Sequence, residues 1–293
     1  MKNIKIAVLS ALLLTGISCK KEDSKVATKE DTKTEQPASN HRIVSISGGV
    51  TEIVAALGHE KEIVGTDVTS TYPKSLEETA ENLGHVRSMT IEPLMALNPT
   101  LILASDKDVN PELLTKIKSS GIKTELFKQE FTIDGTKKLI DQVAKALGNT
   151  NQQKLLDKID ADVKQIQSIA NKPKVLFIYA RGNMMMVGGK NTPMASIIEI
   201  AGGQNAANDF EDFKPLTPEA VVKSNPDVLL FFTSGLQGFG GAEGALKMPG
   251  VSQTNAGKNK RVLALDGGLL SSFGPRVGEA GLSLNKLLIE SSK

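Results

Sequence analysis

The apolar positions of this chain change rhythm three times. Lys2 and Lys5 lead into a continuous apolar stretch from Ile6 to Ile17, shorter than the roughly 18–20 residues a membrane-spanning helix needs but suited to the core of an export signal. Residues 1–18 read as a signal peptide. Residues 19–40 are charged and rich in Thr and Ser, with almost no apolar side chains. Such a segment cannot bury enough surface to offset its ordering entropy and reads as a disordered tether, with a mean reach of roughly 25 Å.

From Arg42 onward, short β-branched runs alternate with helical spacing. Strands are expected at Ile43–Ile46, Glu62–Gly65, Leu101–Ala104 and Lys123–Phe127, with helices over 50–57, 91–97 and 111–120. After Lys172 the alternation resumes, with strands at Val175–Tyr179, Val228–Phe232 and Arg261–Leu265 and helices over 193–201, 217–224 and 277–290. Alternation of this kind predicts an α/β fold. One stretch occurs twice: Thr90-x-Glu92, six residues to Asn98-Pro99 and a strand, beside Thr217-x-Glu219, Asn225-Pro226 and a strand. Each reads as a Thr N-cap, an acid in the first turn, an Asn-Pro stop and a buried strand. Two related lobes follow, 41–148 and 172–293.

Between them, Asp134 to Leu147 forms an amphipathic helix ended by Gly148, and Thr150 to Gln153 offers a capping box for a second. The apolar positions Leu155, Leu156, Ile159, Val163, Ile166 and Ile169 keep helical spacing up to Pro173. The expectation is one stiff linker helix within 149–171, about 30 Å long for some 20 residues.

Composition narrows the function. The chain of 293 residues carries 35 Lys and Arg against 33 Asp and Glu; residues 1–40 hold seven Lys and five acids, leaving 28 of each sign in the body. A neutral body argues against sequence-independent nucleic-acid binding, which needs clustered, uncompensated cations. The single cysteine excludes an intrachain disulfide, a CxxC pair and a Cys-based zinc cage. Cys19 stands in Thr15-Gly16-Ile17-Ser18-Cys19, which resembles a bacterial lipoprotein processing site, although Gly16 replaces the usual Leu. That resemblance makes Cys19 a lipidated N-terminus and the lipid the only membrane contact.

Catalytic signatures are missing: the chain has no HExxH, GxSxG, GxxxxGK[ST] or CxxC. The stretch Gly235 to Gly241 lacks the third glycine of a dinucleotide fingerprint and reads as a loop. His41, His59 and His85 are scattered and read as surface or turn residues. No enzyme is expected. The unusual positions lie in loops beyond strand ends, where open α/β folds bind ligands. Tyr72, one of two tyrosines, follows Asp67, Thr69, Ser70 and Thr71 and precedes Pro73; Arg181 and Met184-Met185-Met186 follow the first strand of the second half; Arg276 ends Gly274-Pro275-Arg276. Methionine is an adaptable apolar side chain that suits a broad, flat ligand or a core equally well.

Here the sequence resembles the haem-binding proteins of bacterial ABC importers, within the larger vitamin B12, siderophore and haem substrate-binding group. The resemblance runs from Arg42 to the last helix. It rests on Asp67-x-Thr-Ser-x-Tyr72-Pro, Gly84-x-x-Arg87, Arg181-Gly-x-x-x-Met186 with Gly189 and Thr192, Ala201-Gly-Gly203-x-Asn205, and Gly274-Pro-Arg276. It implies two Rossmann-like lobes joined by a single long helix, the helical-backbone periplasmic binding protein fold, and a monomer serving iron acquisition.

It also implies haem b as the transported ligand, with Tyr72 as axial ligand to ferric iron, a hard anionic donor in phenolate form. Ser70, Thr71 and Arg87 would line the site, Arg181 would meet a propionate, Met184 and Met186 would cover the opposite porphyrin face, and Arg276 would favour the phenolate. Residues 180–190 hold no histidine, so single-tyrosine ligation is expected. Glu92 and Glu219 would dock onto arginines of an ABC-transporter permease dimer. The alternative within this fold is a corrinoid or ferric siderophore, against which Tyr72 would stack or hydrogen-bond.

Overall fold

Two sheets form where the two alternating halves lie. The computed structural model describes residues 41–182 and 184–292; the signal peptide, Cys19 and the tether lie outside the described residues. The first sheet contains β1 (Ile43–Ser45), β2 (Ile63–Thr66), β3 (Glu81–Asn82), β4 (Leu101–Ser105) and β5 (Lys123–Phe127). All are parallel, in the order β3-β2-β1-β4-β5. β1 and β4 are buried throughout, as expected of central strands covered on both faces by helices.

The second sheet contains β6 (Lys174–Arg181), β7 (Met184–Gly188), β8 (Gln204–Asn205), β9 (Phe213–Pro215), β10 (Val228–Phe232) and β11 (Val262–Leu265). Strands β6, β10 and β11 are parallel. Along one edge of β6, Lys174 and Val175 pair with parallel β8, while Ile178 to Arg181 pair with antiparallel β7, which in turn pairs with β9. The parallel order β8-β6-β10-β11 thus repeats β2-β1-β4-β5, with a β7–β9 ribbon added that helical and strand periodicity did not reveal.

The repeated Thr-x-Glu segments occupy equivalent places. Helices Ile91–Ala96 and Pro218–Ser224 precede β4 and β10, and Asn98 and Asn225 both adopt left-handed backbone, with φ of 47° and 38°, a conformation that ends a helix at modest cost for Asn. Thr217 caps its helix by accepting from the Ala220 N–H at 3.2 Å. The Thr90 side chain caps no backbone N–H; its hydroxyl instead bonds the Glu92 carboxylate.

One apolar cluster joins the sheets. It includes Ile43 and Leu101 from the first, Val175 and Phe177 from the second, and Leu139, Ile140, Val143, Ile159, Val277, Leu284 and Leu288 from helices between them. Helices Ile133–Ala146, Gln153–Val163 and Val277–Glu290 pack on one another. Gly278 lets the last helix approach closely, since a Cβ there would meet the Asp162 Cβ at 2.8 Å.

The long linker helix is corrected by this arrangement. The helix spans 11 residues, Gln153–Val163, about 16 Å by its rise per residue. Beyond it, Asn285 captures the backbone: its Oδ1 accepts from the Gln167 N–H at 3.0 Å, and its Nδ2 donates to the carbonyls of Gln167 at 2.8 Å and Ala201 at 3.0 Å. Those bonds compete with helical i→i−4 pairing, so Ile166 and Ile169 keep helical spacing in sequence but pack from irregular backbone beside Gly281 and Gly202. His59 also departs from its surface reading; it is buried, with Nδ1 3.0 Å from Glu62. The glycine-rich stretch from Gly235 lies in two short helices, Thr233–Gly238 and Gly241–Leu246.

Because Asn285 is 1 % exposed, its truncation strands buried backbone groups. Asn285→Ala should lower unfolding stability by about 2–4 kcal/mol, read as a lower urea midpoint. Lys286→Ala, at the exposed neighbouring position, should change it by less than about 0.5 kcal/mol.

Candidate functional site

The loop after β2 is organised by a buried carboxylate. Asp67 Oδ2 accepts from the Thr69 hydroxyl at 2.7 Å and the Thr69 N–H at 3.2 Å, and Oδ1 accepts from the Ser70 hydroxyl at 2.8 Å. Burial pushes the Asp67 carboxyl above the ordinary carboxylate range, against the opposing effect of the Thr69 and Ser70 bonds. The Ser70 hydroxyl also meets Thr51 Oγ1 at 2.8 Å, which meets Ser45 Oγ at 2.8 Å. The Gly48 N–H donates to Thr69 Oγ1 at 3.0 Å. Ser70 is therefore occupied inside the loop, and this network ties the loop to β1 and to helix Gly48–Val54.

Tyr72 emerges from that scaffold 45 % exposed. Its hydroxyl has no hydrogen-bond partner among the described residues. The Arg276 guanidinium lies over its ring, 3.8 Å from the centroid, in a cation–π arrangement. Arg276 also donates from Nε and Nη2 to the two carboxylate oxygens of Glu52, at 2.9 and 2.6 Å. Glu52 is 4 % exposed. Burial raises its pKa even though Arg276 and Ser272 bond the carboxylate and oppose the shift. Arg276 thus meets the face of Tyr72 rather than its hydroxyl.

This ion pair is one of several contacts between the halves. Gln129 Nε2 donates to the Ser272 carbonyl at 2.7 Å, and Phe131 and Phe273 meet edge to face at 5.2 Å. Gly49 has no Cβ where one would collide with the Ser272 carbonyl. Thr71 lies against Gly268, so the Tyr72 loop touches the second half beside its tyrosine as well as through the ring.

Beside these contacts opens a cleft of about 940 Å³. The first half lines it with Ser47 to Gly49 after β1, Thr69 after β2, Arg87, Ser105 at the end of β4 with Lys107 and Asp108 beyond it, and Gln129 to Thr132 after β5; the second adds Met186, Asn191 to Pro193, Ser196, Asp212, Phe213, Ser271 and Ser272. Most first-half members follow the carboxyl ends of parallel strands, where open α/β sheets leave room for ligands. Tyr72 and Arg276 are not themselves part of the lining, which reaches their segments at Thr69, three residues before the tyrosine, and at Ser272, four before the arginine. A smaller hollow of about 490 Å³ lies in the second half alone, between β7, β9 and helix Pro218–Ser224; it does not include the Tyr72 loop.

Strand alternation sorts the methionines. Met184 and Met186 share one face of β7, the first exposed and the second lining the cleft, while Met185 turns to the other face and packs in a second apolar cluster. Arg87 lines the cleft and its guanidinium is 4.0 Å from Asp108. Arg181 pairs with Met184 near the hairpin end and is exposed outside the cleft lining. Glu92 and Glu219 are exposed in the first turns of their helices. Thr90 holds the Glu92 carboxyl below the usual range.

Five functional candidates escaped the sequence reading: Glu52, Lys107, Gln129, Phe131 and Phe213. Glu52 looked like an ordinary helical acid, and only the fold sets it opposite Arg276, 224 positions later. Phe131 and Lys107 could have been suspected from their places just after strands. Phe213 depends on a ribbon that the sequence pattern did not show.

Among the described residues, no helix is long and apolar enough to cross a membrane. Comparison with known proteins sets the geometry in a family. The periplasmic heme-binding protein RhuT from Roseiflexus sp. RS-1 superposes with a TM-score of 0.81 and 36 % identity over 87 % of this chain and 100 % of that one. YvrC of Bacillus subtilis, an uncharacterized ABC transporter substrate-binding lipoprotein, is 29 % identical over 93 % of this chain and 91 % of its own length. A cobalamin-binding protein of Halobacterium salinarum is 25 % identical over 81 % of this chain and 66 % of its own length. The two-sheet α/β fold is that of these solute-binding proteins, which are not enzymes. Residues 43–268 match the family profile described as periplasmic binding protein, and the chain belongs to that family.

Proposed function

We propose that the protein captures haem in the cleft between its halves and delivers it to the permease of an ABC importer. One observation carries this reading: Phe213 lines the cleft, and three of the other four large apolar side chains left exposed belong to the loop and the ribbon that supply its lining. Of the five such residues among those described, Val68 and Tyr72 belong to the loop that lines one wall, Met184 and Phe213 belong to the ribbon on the other, and only Val222 lies elsewhere. Exposed apolar surface on two facing walls suits a broad, flat, apolar ligand.

The polar groups fit the same ligand. An exposed, unpaired phenol is a hard oxygen donor suited to ferric haem iron. Arg87 and Lys107 stand in the cleft and can meet propionates as charge-assisted partners, whereas Arg276 already spends two donors on Glu52. This moves the propionate role from Arg181 toward Arg87 and Lys107. Met186 and Phe213 would cover the porphyrin face opposite Tyr72. The likeness to a cobalamin-binding protein supports a second reading, a corrinoid in the same cleft with Tyr72 as a stacking partner.

Permease docking follows from strand direction. Helices Ile91–Ala96 and Pro218–Ser224 each descend from the carboxyl edge of a sheet to the start of the next central strand. Their N-termini, with Glu92 and Glu219, therefore lie toward the edge where the cleft opens. A lipid on Cys19 would hold the protein at the cell envelope.

Titration of ligand-free protein with hemin, followed by absorbance, should give a high-spin tyrosinate-type ferric spectrum that Tyr72→Ala abolishes. Retention of spectrum and affinity in that variant would remove Tyr72 as ligand, and binding of cyanocobalamin in place of hemin would favour the corrinoid. Arg87→Ala should weaken hemin binding about three- to tenfold and Arg181→Ala less than about twofold; the reverse order would return the propionate to the hairpin. Glu92→Lys with Glu219→Lys should leave hemin affinity unchanged and abolish uptake in cells, by placing like charges against permease arginines. Normal uptake would reduce these glutamates to favourable first-turn acids.

A further inference from the structure

We propose that Glu52 is the positioning residue for Tyr72, acting through Arg276. The inference rests on the haem reading for the ligand that Tyr72 would hold, but not for its geometry. Tyr72 has no hydrogen bond of its own to fix it; the described contact on its ring is the guanidinium 3.8 Å away. That guanidinium sits on a long, flexible side chain with many free rotamers. What removes the freedom is the two-pronged bond to Glu52, at 2.9 and 2.6 Å, because a planar fork held at two points can neither rotate nor swing to solvent.

Glu52 is itself immobile. It projects from helix Gly48–Val54, which is buried along its length, and is itself 4 % exposed. Its partner belongs to the other half of the chain, at the start of the final helix. The order of control therefore runs from buried helix to Glu52, from Glu52 to Arg276 and from Arg276 to the ring that offers the donor oxygen. The pairing also neutralises a cation at the cleft edge. An unpaired Arg276 would be free to turn toward a ligand carboxylate and leave the tyrosine uncovered, so Glu52 keeps the tyrosine contact and the propionate contacts on separate residues.

Two measurements on the full chain test this, with Glu52→Gln, which keeps the side-chain shape but loses the charged fork. The first needs no haem. The chain has two tyrosines and no tryptophan, so in a Tyr179→Phe background the tyrosine fluorescence reports Tyr72 alone. Glu52→Gln should raise its quenching by acrylamide to the level seen in Arg276→Ala. The second is a double-mutant cycle on hemin affinity. Glu52→Gln alone should weaken binding about tenfold, and less than about twofold once Arg276→Ala is present, since interacting pairs are non-additive. Thermal melts of each variant identify any loss of folding, and Glu52→Asp should recover part of the lost ring protection. Unchanged quenching in Glu52→Gln, or an equal loss of affinity with and without Arg276, would overturn the proposal. If Tyr72→Ala keeps full hemin binding while Glu52→Gln still exposes the ring, the assignment of Tyr72 as iron ligand fails and the positioning role stands.

Discussion

A single apolar cluster passes through both sheets, and the rest of the molecule is arranged around that fact. Ile43 and Leu101 at one end and Val175 and Phe177 at the other are buried in the same contiguous core, with the helices Ile133–Ala146, Gln153–Val163 and Val277–Glu290 between them. The chain crosses between halves on a helix that is short and braced by the C-terminal helix. Separating the halves would expose apolar surface at about 25 cal/mol for each Å². Small sliding motions of packed helices are therefore favoured over wide rotation about a lone rod. The cleft is consequently a gap left beside a shared core, and its shape is set largely before any ligand arrives.

Electrostatics at the cleft edge follows the same economy. A carboxylate as buried as Glu52 is costly to keep charged unless it is paired and hydrogen-bonded, and Arg276 meets both demands from the opposite half. Asp67 solves a similar problem locally, using neutral donors on its own loop instead of a cation. One buried acid thus fixes the shape of the loop and the other fixes what covers its tyrosine. Both are buried, and on the positioning proposal both would decide where Tyr72 stands.

Much of this was legible in the sequence where local rules dominate. The strands Lys123–Phe127 and Val228–Phe232 and the helix Val277–Glu290 coincide with their apolar periodicity, and the duplicated Thr-x-Glu segments fall at equivalent places in the two sheets. The linker helix stops at Val163, short of its expected end, because Asn285, more than a hundred positions away, offers the backbone at Gln167 better partners than the next helical turn does. The ribbon β7–β9 was hidden because its strands are short and one of them, Phe213-Lys214-Pro215, is exposed throughout and shows no burial pattern. Tyr72, Arg87 and Met186 could be singled out, but Glu52 could not. A salt bridge between residues 52 and 276 leaves no trace in spacing, whereas a strand does.

The way β6 shares its edge has a further consequence. In the first half β2 runs alongside β1, whereas in the second β8 takes only the start of β6 and yields the remainder to the β7–β9 ribbon. The duplication is therefore broken at the cleft. One wall consists of loops bearing Arg87, Lys107 and Asp108, and the other presents a ribbon bearing Met186 and Phe213. A symmetric pair of walls would accept a disc-shaped molecule either way up. Under the haem reading these two walls would distinguish its faces and its charged edge, so the asymmetry would act as a key for ligand orientation and present the same side of the cargo each time the cleft meets its partner.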